Sequence, residues 1–310
     1  MGDVMIGRSV SQKISEEGYD YPWGDVLPYL KQPGVNIINL ETALTGSVKR
    51  VSKVFNFKAD PDQVKTLARA HIHVANIANN HILDFSEEGL LETIRMLEIE
   101  KIQYTGAGKN SAEARKPAVI NCNGIKIGVI GCTDNESRWK ADGHPGTYYV
   151  KVGDLTELKT DIQSIRSQVD ILILSAHFGP NMVERPKRNE IGFKHQLIDL
   201  GVDIIHGHSA HIFQGIELYH GKIILYDTGD FIDDYYSDPE LRNSRSFLFE
   251  IQIAEKKIRG MKLLPVLIER MQVNFATDEV AKWSIARMQY LSEPFGTKIA
   301  DSGEVEGFEA

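Results

Sequence analysis

The sequence predicts a mixed-sheet α/β domain built on two packed sheets. Three observations predict it. Short apolar runs alternate with helical patterns from residue 35 to residue 205, the rhythm then changes to paired antiparallel strands, and no internal repeat or low-complexity linker divides the 310 residues.

Each element has a local reason. Residues 35–40 read as a buried strand ending at Glu41. Asp60 reads as a helix N-cap with Pro61 at the first helical position, and Val64, Leu67 and Ala68 form the apolar stripe behind it. Residues 74–78 read as a short strand, and Ser86 opens a helix whose stripe includes Leu90, Ile94 and Leu97. Residues 126–130, 171–174 and 203–205 read as strands, with a helix over 189–200. Residues 213–219 and 222–226 flank His220-Gly221 as a hairpin, and 246–253 with 257–266 read as a second antiparallel pair. A helix is predicted over 280–291. The polar, acidic tail from Asp301 to Gly307 is expected to be loose.

Composition bounds the function. At 42% hydrophobic and 25% charged residues, the chain has the make-up of a globular protein with a sizeable core. A formal net charge of −8 argues against nucleic acid as a partner. Cys122 and Cys132 flank the turn candidate Asn123-Gly124 and are expected as free thiols rather than a disulfide. No run of about 18 apolar residues and no signal peptide is read, so no membrane segment is expected and the chain as given reads as cytoplasmic. Gly2-Asp3 reads as the end of a buried strand with almost no strand before it, so either the first strand is minimal or the start is truncated; a truncated start leaves an extracytoplasmic location open.

Five polar clusters follow apolar runs: Gly2-Asp3, Asn39-Leu40-Glu41, Asn79-Asn80-His81, Ala176-His177-Phe178-Gly179, and His206-Gly207-His208-Ser209-Ala210-His211. Ligand sites in open α/β sheets form beyond the carboxyl ends of strands, so five such ends can converge while distant in sequence. The types suit one chemistry. Asp and Glu give anionic oxygens, Asn a neutral oxygen, and imidazole suits Mn, Fe and Zn. Each cluster alone reads as a cap, a turn or a structural histidine. Together they are hard to explain structurally, because buried strand ends do not collect unpaired polar groups.

The segments Gly2-Asp3-Val4-Met5-Ile6-Gly7-Arg8, Asn39-Leu40-Glu41-Thr42, Ala78-Asn79-Asn80-His81-Ile82-Leu83-Asp84, Ala176-His177-Phe178-Gly179 and Gly207-His208-Ser209-Ala210-His211, with Gln214 and Glu217 after them, resemble the CapA family. These are capsule and poly-γ-glutamate synthesis proteins of the metallophosphatase-like superfamily. The resemblance runs from Gly2 to about Phe295. It implies a four-layer α/β/β/α sandwich as a single domain over residues 1–295, with 296–310 as a loose acidic tail. It also implies one or two divalent ions, Mn, Fe or Zn. Asp3 and Glu41 would be carboxylate ligands, Glu41 in a bridging position, and Asn80, His177, His208 and His211 would complete the shells. His81 would be the catalytic histidine, Asp84 would orient a histidine, and Arg8 and Asn79 would meet an anionic substrate.

Three positions depart from the family pattern. Met5 stands where metallophosphatases carry a histidine, Ser209-Ala210 replace His-Pro, and Asp230 replaces Asn. Asp227, Asp230, Asp233 and Asp234 read as a solvated loop, or else as a source of an extra ligand, Asp230 behind the metal shells, or a docking site for a cationic group.

Two functions of different class follow. The favoured one is a metal-dependent hydrolase of a phosphoester or amide, acting on a small-molecule or polymer substrate. The alternative is a non-catalytic accessory role in assembling or exporting poly-γ-glutamate or capsule polymer. A polyanion fits the net charge only if Arg8, Arg185, Lys187 and Arg188 gather on one face, and residues 185–188 read more simply as a solvated helix start. The oligomeric state is left open by the sequence.

Overall fold

Alternating apolar strands and amphipathic helices resolve into two stacked sheets with helices outside each, as seen in the computed structural model, which describes residues 1–308. The first sheet runs, in spatial order, Asp230–Ile232, Asp3–Val4, Asn36–Leu40, Ile72–Asn76 and Gln103–Thr105, every neighbour parallel. The second runs Ile216–Tyr219, Lys222–Leu225, Ile204–His208, Ile171–His177, Ile125–Thr133 and Ala118–Cys122. Its middle is parallel and each edge is an antiparallel hairpin, so it is mixed, as expected.

The layers follow from side-chain periodicity. In the Ile171–His177 strand, Leu172 and Leu174 face helices Thr156–Arg166 and Arg188–Asp199, where Leu158, Ile162, Phe193 and Leu197 meet them. Ile171 and Ile173 point the other way, into an interior shared with Val74, Ile127 and Ile204. Across that interior, Ile38, Leu40 and Ala75 of the first sheet pack against Val10, Ile14, Val64, Leu67, Leu90 and Leu97 from helices Arg8–Glu17, Val64–Arg69 and Ser86–Ile99. The result is the four-layer α/β/β/α sandwich.

A third, antiparallel sheet of Arg245–Ala254, Lys257–Glu269 and Gln272–Phe275 closes one side together with helix Asp278–Ser292. Phe247, Met261, Leu263, Ile285 and Met288 add to the interior core. The acidic tail corrects an expectation. It is docked rather than loose: Leu263 N–H donates to Gly303 O at 2.8 Å, and Val305 N–H to Met261 O at 2.9 Å. The reason is a period of two, in which Glu304 and Glu306 face solvent while Val305 between them is buried. Both cysteines are free, as expected. No helix among the described residues is long and apolar enough to cross a membrane.

Candidate metal centre

Strand register builds the site. Parallel pairing in the first sheet sets Asp230, Asp3, Asn39 and Asn76 in one row. Pairing in the second sets Thr133, His177 and His208 in another. The rows face each other: Asn39 Nδ2 lies 2.7 Å from Asp3 Oδ1 and 3.3 Å from His177 Nδ1, and Asn76 Nδ2 lies 3.4 Å from His208 Nε2. Close approach requires Gly131 opposite Asn76, since a Cβ there would sit 2.2 Å from Asn76 Oδ1.

Two groups of donor atoms result, each within 4.8 Å: Asp3 with His177 and His208, and Asp3 with His211 and Asp230. In the first, His177 Nδ1 is 2.9 Å from His208 Nδ1, and His208 Nδ1 is 3.6 Å from Asp3 Oδ1. In the second, His211 Nδ1 is 2.8 Å from Asp230 Oδ1 and 3.6 Å from Asp3 Oδ2. Asn80, expected as a ligand, does not join the first group: its Oδ1 lies 2.9 Å from His177 Nε2, the ring nitrogen on the far side from His208, so it meets the imidazole from behind. Glu41 Oε1 lies 3.9 Å from His211 Nε2 and 3.7 Å from His81 Nε2. Asp3 is therefore the carboxylate common to both groups, while Glu41, expected in a bridging position, borders the second.

These residues fit a divalent cation. Asp3 Oδ2, both Glu41 carboxylate oxygens, Asp230 Oδ2 and Asp233 Oδ2 are buried without a hydrogen-bond partner. Buried anionic oxygens without donors are costly unless a positive charge faces them. Burial raises the pKa of Asp3 and of Asp230, and burial with the neighbouring Asp3 raises Glu41 well above the carboxylate range. Burial pushes His177 and His208 well below the imidazole range, leaving them neutral as metal ligands must be. His211 differs: burial opposes its charge, but Asp230, Glu41 and Asp3 override it and raise its pKa well above the ordinary value.

His81 and Asp84 form a dyad beside this centre. His81 Nδ1 lies 2.6 Å from Asp84 Oδ2, and its ring stacks on Phe57 at 3.8 Å. Asp84, expected to orient a histidine, has His81 as its imidazole neighbour. Burial pushes His81 down to about 4 although Asp84 raises it. Arg8 stands at the rim, paired with Asp234, its guanidinium 4.8 Å from the Phe57 ring centroid.

Two expectations are corrected. Asn79 does not face a substrate, because its side chain is consumed within the loop. It donates to Leu40 O and Asn39 Oδ1 at 2.8 and 3.1 Å and accepts from His81 N–H and Ile82 N–H, both at 3.0 Å. The acidic cluster is no solvated loop: Asp227, Asp230 and Asp233 are buried. Asp227 braces the turn that carries the histidines, accepting from Ala210 N–H and Gly229 N–H at 2.8 Å. Met5 is buried in the apolar core, its sulfur taking the Gly7 N–H at 3.2 Å, so it contributes no donor to the centre.

Sequence reading missed Asn76 and Lys53. Asn76 was legible as a polar residue interrupting an apolar strand. Lys53 had no signal beyond its place in a basic loop. A cavity of about 360 Å³ lies elsewhere, between apolar walls that include Ile37, Ile173 and Ile251, and it reaches none of the site side chains named above.

Comparison with known proteins agrees with this architecture. A family model described as "Bacterial capsule synthesis protein PGA_cap" matches residues 1–235. A Mycobacterium tuberculosis protein named "Probable polyglutamine synthesis accessory protein" is 29% identical over 350 aligned positions, covering 96% of this chain and 91% of its own. The "PGA biosynthesis protein CapA" of Bacillus subtilis is 27% identical over 305 positions, covering 97% and 79%. Among solved structures, a hypothetical protein from Thermus thermophilus overlays with a TM-score of 0.53 at 11% identity, across 85% of this chain and 96% of that one, a likeness of fold.

Proposed function

The chain belongs to the bacterial capsule synthesis family PGA_cap, and from that premise we propose that it is a metal-dependent hydrolase of a phosphoester or amide bond in an anionic substrate. The observation that carries the reading is the set of buried, partnerless carboxylate oxygens of Asp3, Glu41 and Asp230 beside the neutral imidazoles of His177 and His208. Asp3, His177 and His208 would hold one divalent ion, with Asn80 set against the outer nitrogen of His177, and Asp3, Asp230 and His211 a second, with Glu41 beside it. The mixed nitrogen and oxygen donors favour Mn, Fe or Zn over Mg or Ca. Such an ion supplies Lewis-acid polarisation of the scissile group and activation of water.

The remaining chemistry belongs to the chain. Asp84 fixes the Nδ1–H of His81 and leaves Nε2 as an acceptor. A neutral His81 would take at Nε2 a proton released by the attacking water and pass it to the leaving group as the scissile bond breaks. Phe57 stacks on the ring and keeps its plane fixed. Arg8, held by Asp234, meets the anionic part of the substrate at the rim. The relatives are named for capsule and PGA synthesis, which supports a polymer of that kind, or a precursor of it, as the substrate.

The test is elemental analysis of the purified protein, followed by assays with a phosphodiester, a phosphomonoester and a γ-glutamyl amide. Uptake of one or two transition-metal ions and turnover of at least one substrate are expected. Protein that takes up no such ion, or that is loaded and turns over none of the three, refutes the reading.

A further inference from the structure

The segment from Gly46 to Lys58 carries four cations, Lys49, Arg50, Lys53 and Lys58, and no acid, in a chain of net charge −8. Three of the four have ordinary surface roles. Lys49 pairs with exposed Glu88 at 2.7 Å, Arg50 lies 5.9 Å over the Phe85 ring, and Lys58 donates to Ser47 O at 2.8 Å. Lys53 turns inward. Its side chain is 13% exposed, its ammonium donates to Asp84 Oδ1 at 2.9 Å and to the Asn80 carbonyl, and it sits 4.9 Å over the Trp139 ring.

We infer that Lys53 is a positioning residue, which holds Asp84 and the Asn80 backbone in place and through them fixes the tautomer of His81. The inference rests on the reading of His81 as the proton-handling group. Asp84 is fully buried, and its two oxygens have divided tasks. Oδ1 meets Lys53, while Oδ2 accepts from Phe57 N–H at 2.7 Å and meets His81 Nδ1 at 2.6 Å. With Oδ1 anchored, the carboxylate plane is set and Oδ2 presents a lone pair to His81 Nδ1–H. That bond leaves Nε2 unprotonated, 3.7 Å from Glu41 Oε1. Without the ammonium, a buried carboxylate oxygen loses a charged donor, and the carboxyl group turns to find another. That turn frees His81 to adopt the other tautomer. The contact with Asn80 O extends the clamp to the residue whose side chain meets His177. Lys53 touches none of Asp3, His177, His208, His211 or Asp230 and meets Asn80 only at its backbone carbonyl, so its removal is expected to act first on the dyad, and zinc content checks that the donor groups stay in place.

The test uses the full chain loaded with zinc and 15N-labelled at histidine, as wild type, Lys53→Met, Lys53→Arg and the surface control Lys49→Met. Two-bond proton–nitrogen spectra report the tautomer of each ring, and His81→Gln identifies the His81 signals. The wild type is expected to show His81 protonated at Nδ1. Lys53→Met should show mixed tautomers at His81, and Lys53→Arg, which keeps charge and donors, should return toward wild type. On whichever phosphodiester or amide the wild type turns over, Lys53→Met should lower kcat about tenfold or more with KM within about twofold and zinc content unchanged. A wild-type tautomer in Lys53→Met overturns the inference, as does an effect equal to that of Lys49→Met or a loss of zinc in step with kcat. Should Lys53→Met fail to fold, the shorter, neutral Lys53→Gln is read by the same spectrum and judged by the same outcomes. The spectrum decides the inference even where no substrate is turned over, so its failure and that of the hydrolase reading are told apart.

Discussion

The two donor groups that share Asp3 are made in different ways. Asp3, His177 and His208 come from strands of two sheets, each set by parallel register, and both imidazoles are held neutral by burial. The second group draws His211 from a turn in which Ser209 and His211 have φ of 124° and 61°, and Asp230 from the edge strand. Non-glycine residues at positive φ are strained and persist where surroundings enforce them, and here Asp227 ties the turn down. This group holds two carboxylates around an imidazole whose charge they favour. The contrast teaches that one site is preorganised by the sheets. The other depends on a braced turn, and its carboxylates favour the charged form of their own histidine when no ion faces them.

The largest effect should come from the residue the groups share. Asp3→Ala is expected to weaken both ions by about a hundredfold or more, read by calorimetric titration of the metal-free protein. Retention of one tight ion would show that the groups are independent and the comparison misdrawn. His81→Gln should come next, with both ions retained and turnover lowered about a hundredfold or more. Loss of metal in that variant would make His81 a ligand. Third, His208→Ala and Asp230→Asn should each affect a different step of the titration, and the untouched step should stay within about tenfold of wild type. Equal damage to both steps by either change would merge the two groups into one.

The smallest effect separates the groups by pH. In chelator, His177 and His208 stay neutral in the folded chain, so below the unfolded value of about 6.5 the unfolded state takes up protons that the folded state refuses. Stability then falls by about 1.4 kcal/mol per pH unit for each such ring. His211 is opposite in sign. Its raised pKa contributes stability that is fully present below about 6.5 and is lost as pH rises through the folded value. His208→Asn should therefore cost less Tm at pH 5.5 than at pH 8.5, and His211→Asn more. The same pH trend in both variants would remove the electrostatic distinction.

Much of this was legible because strands betray their ends. Apolar runs followed by Glu41, Asn80, His177 and His208 marked the carboxyl ends that converge, and the change from alternating strands and helices to antiparallel pairs marked the mixed sheets. What escaped depends on three-dimensional detail. The spacing His-x-His-x-x-His does not say which ring is spent on the backbone, and His206 is: its Nε2 lies 2.7 Å from Met1 O. Asn79 and Asn80 are adjacent and alike in sequence, yet one amide closes its loop and the other meets His177. Lys53 lies 31 positions from Asp84 among three other cations, and only the inward turn of its loop distinguishes it.

The register rows also bear on how such chains can change length during descent. Asp230, Asp3, Asn39 and Asn76 face the second sheet because each occupies one step of its own strand. Deleting one residue within any of those strands would turn that donor to the opposite face and bring an apolar neighbour into the centre. Residues gained or lost in the connections leave the row intact, since the connections carry no register. Descendants of this chain are therefore expected to vary in length at the joints that carry no site residue, and not within these strands.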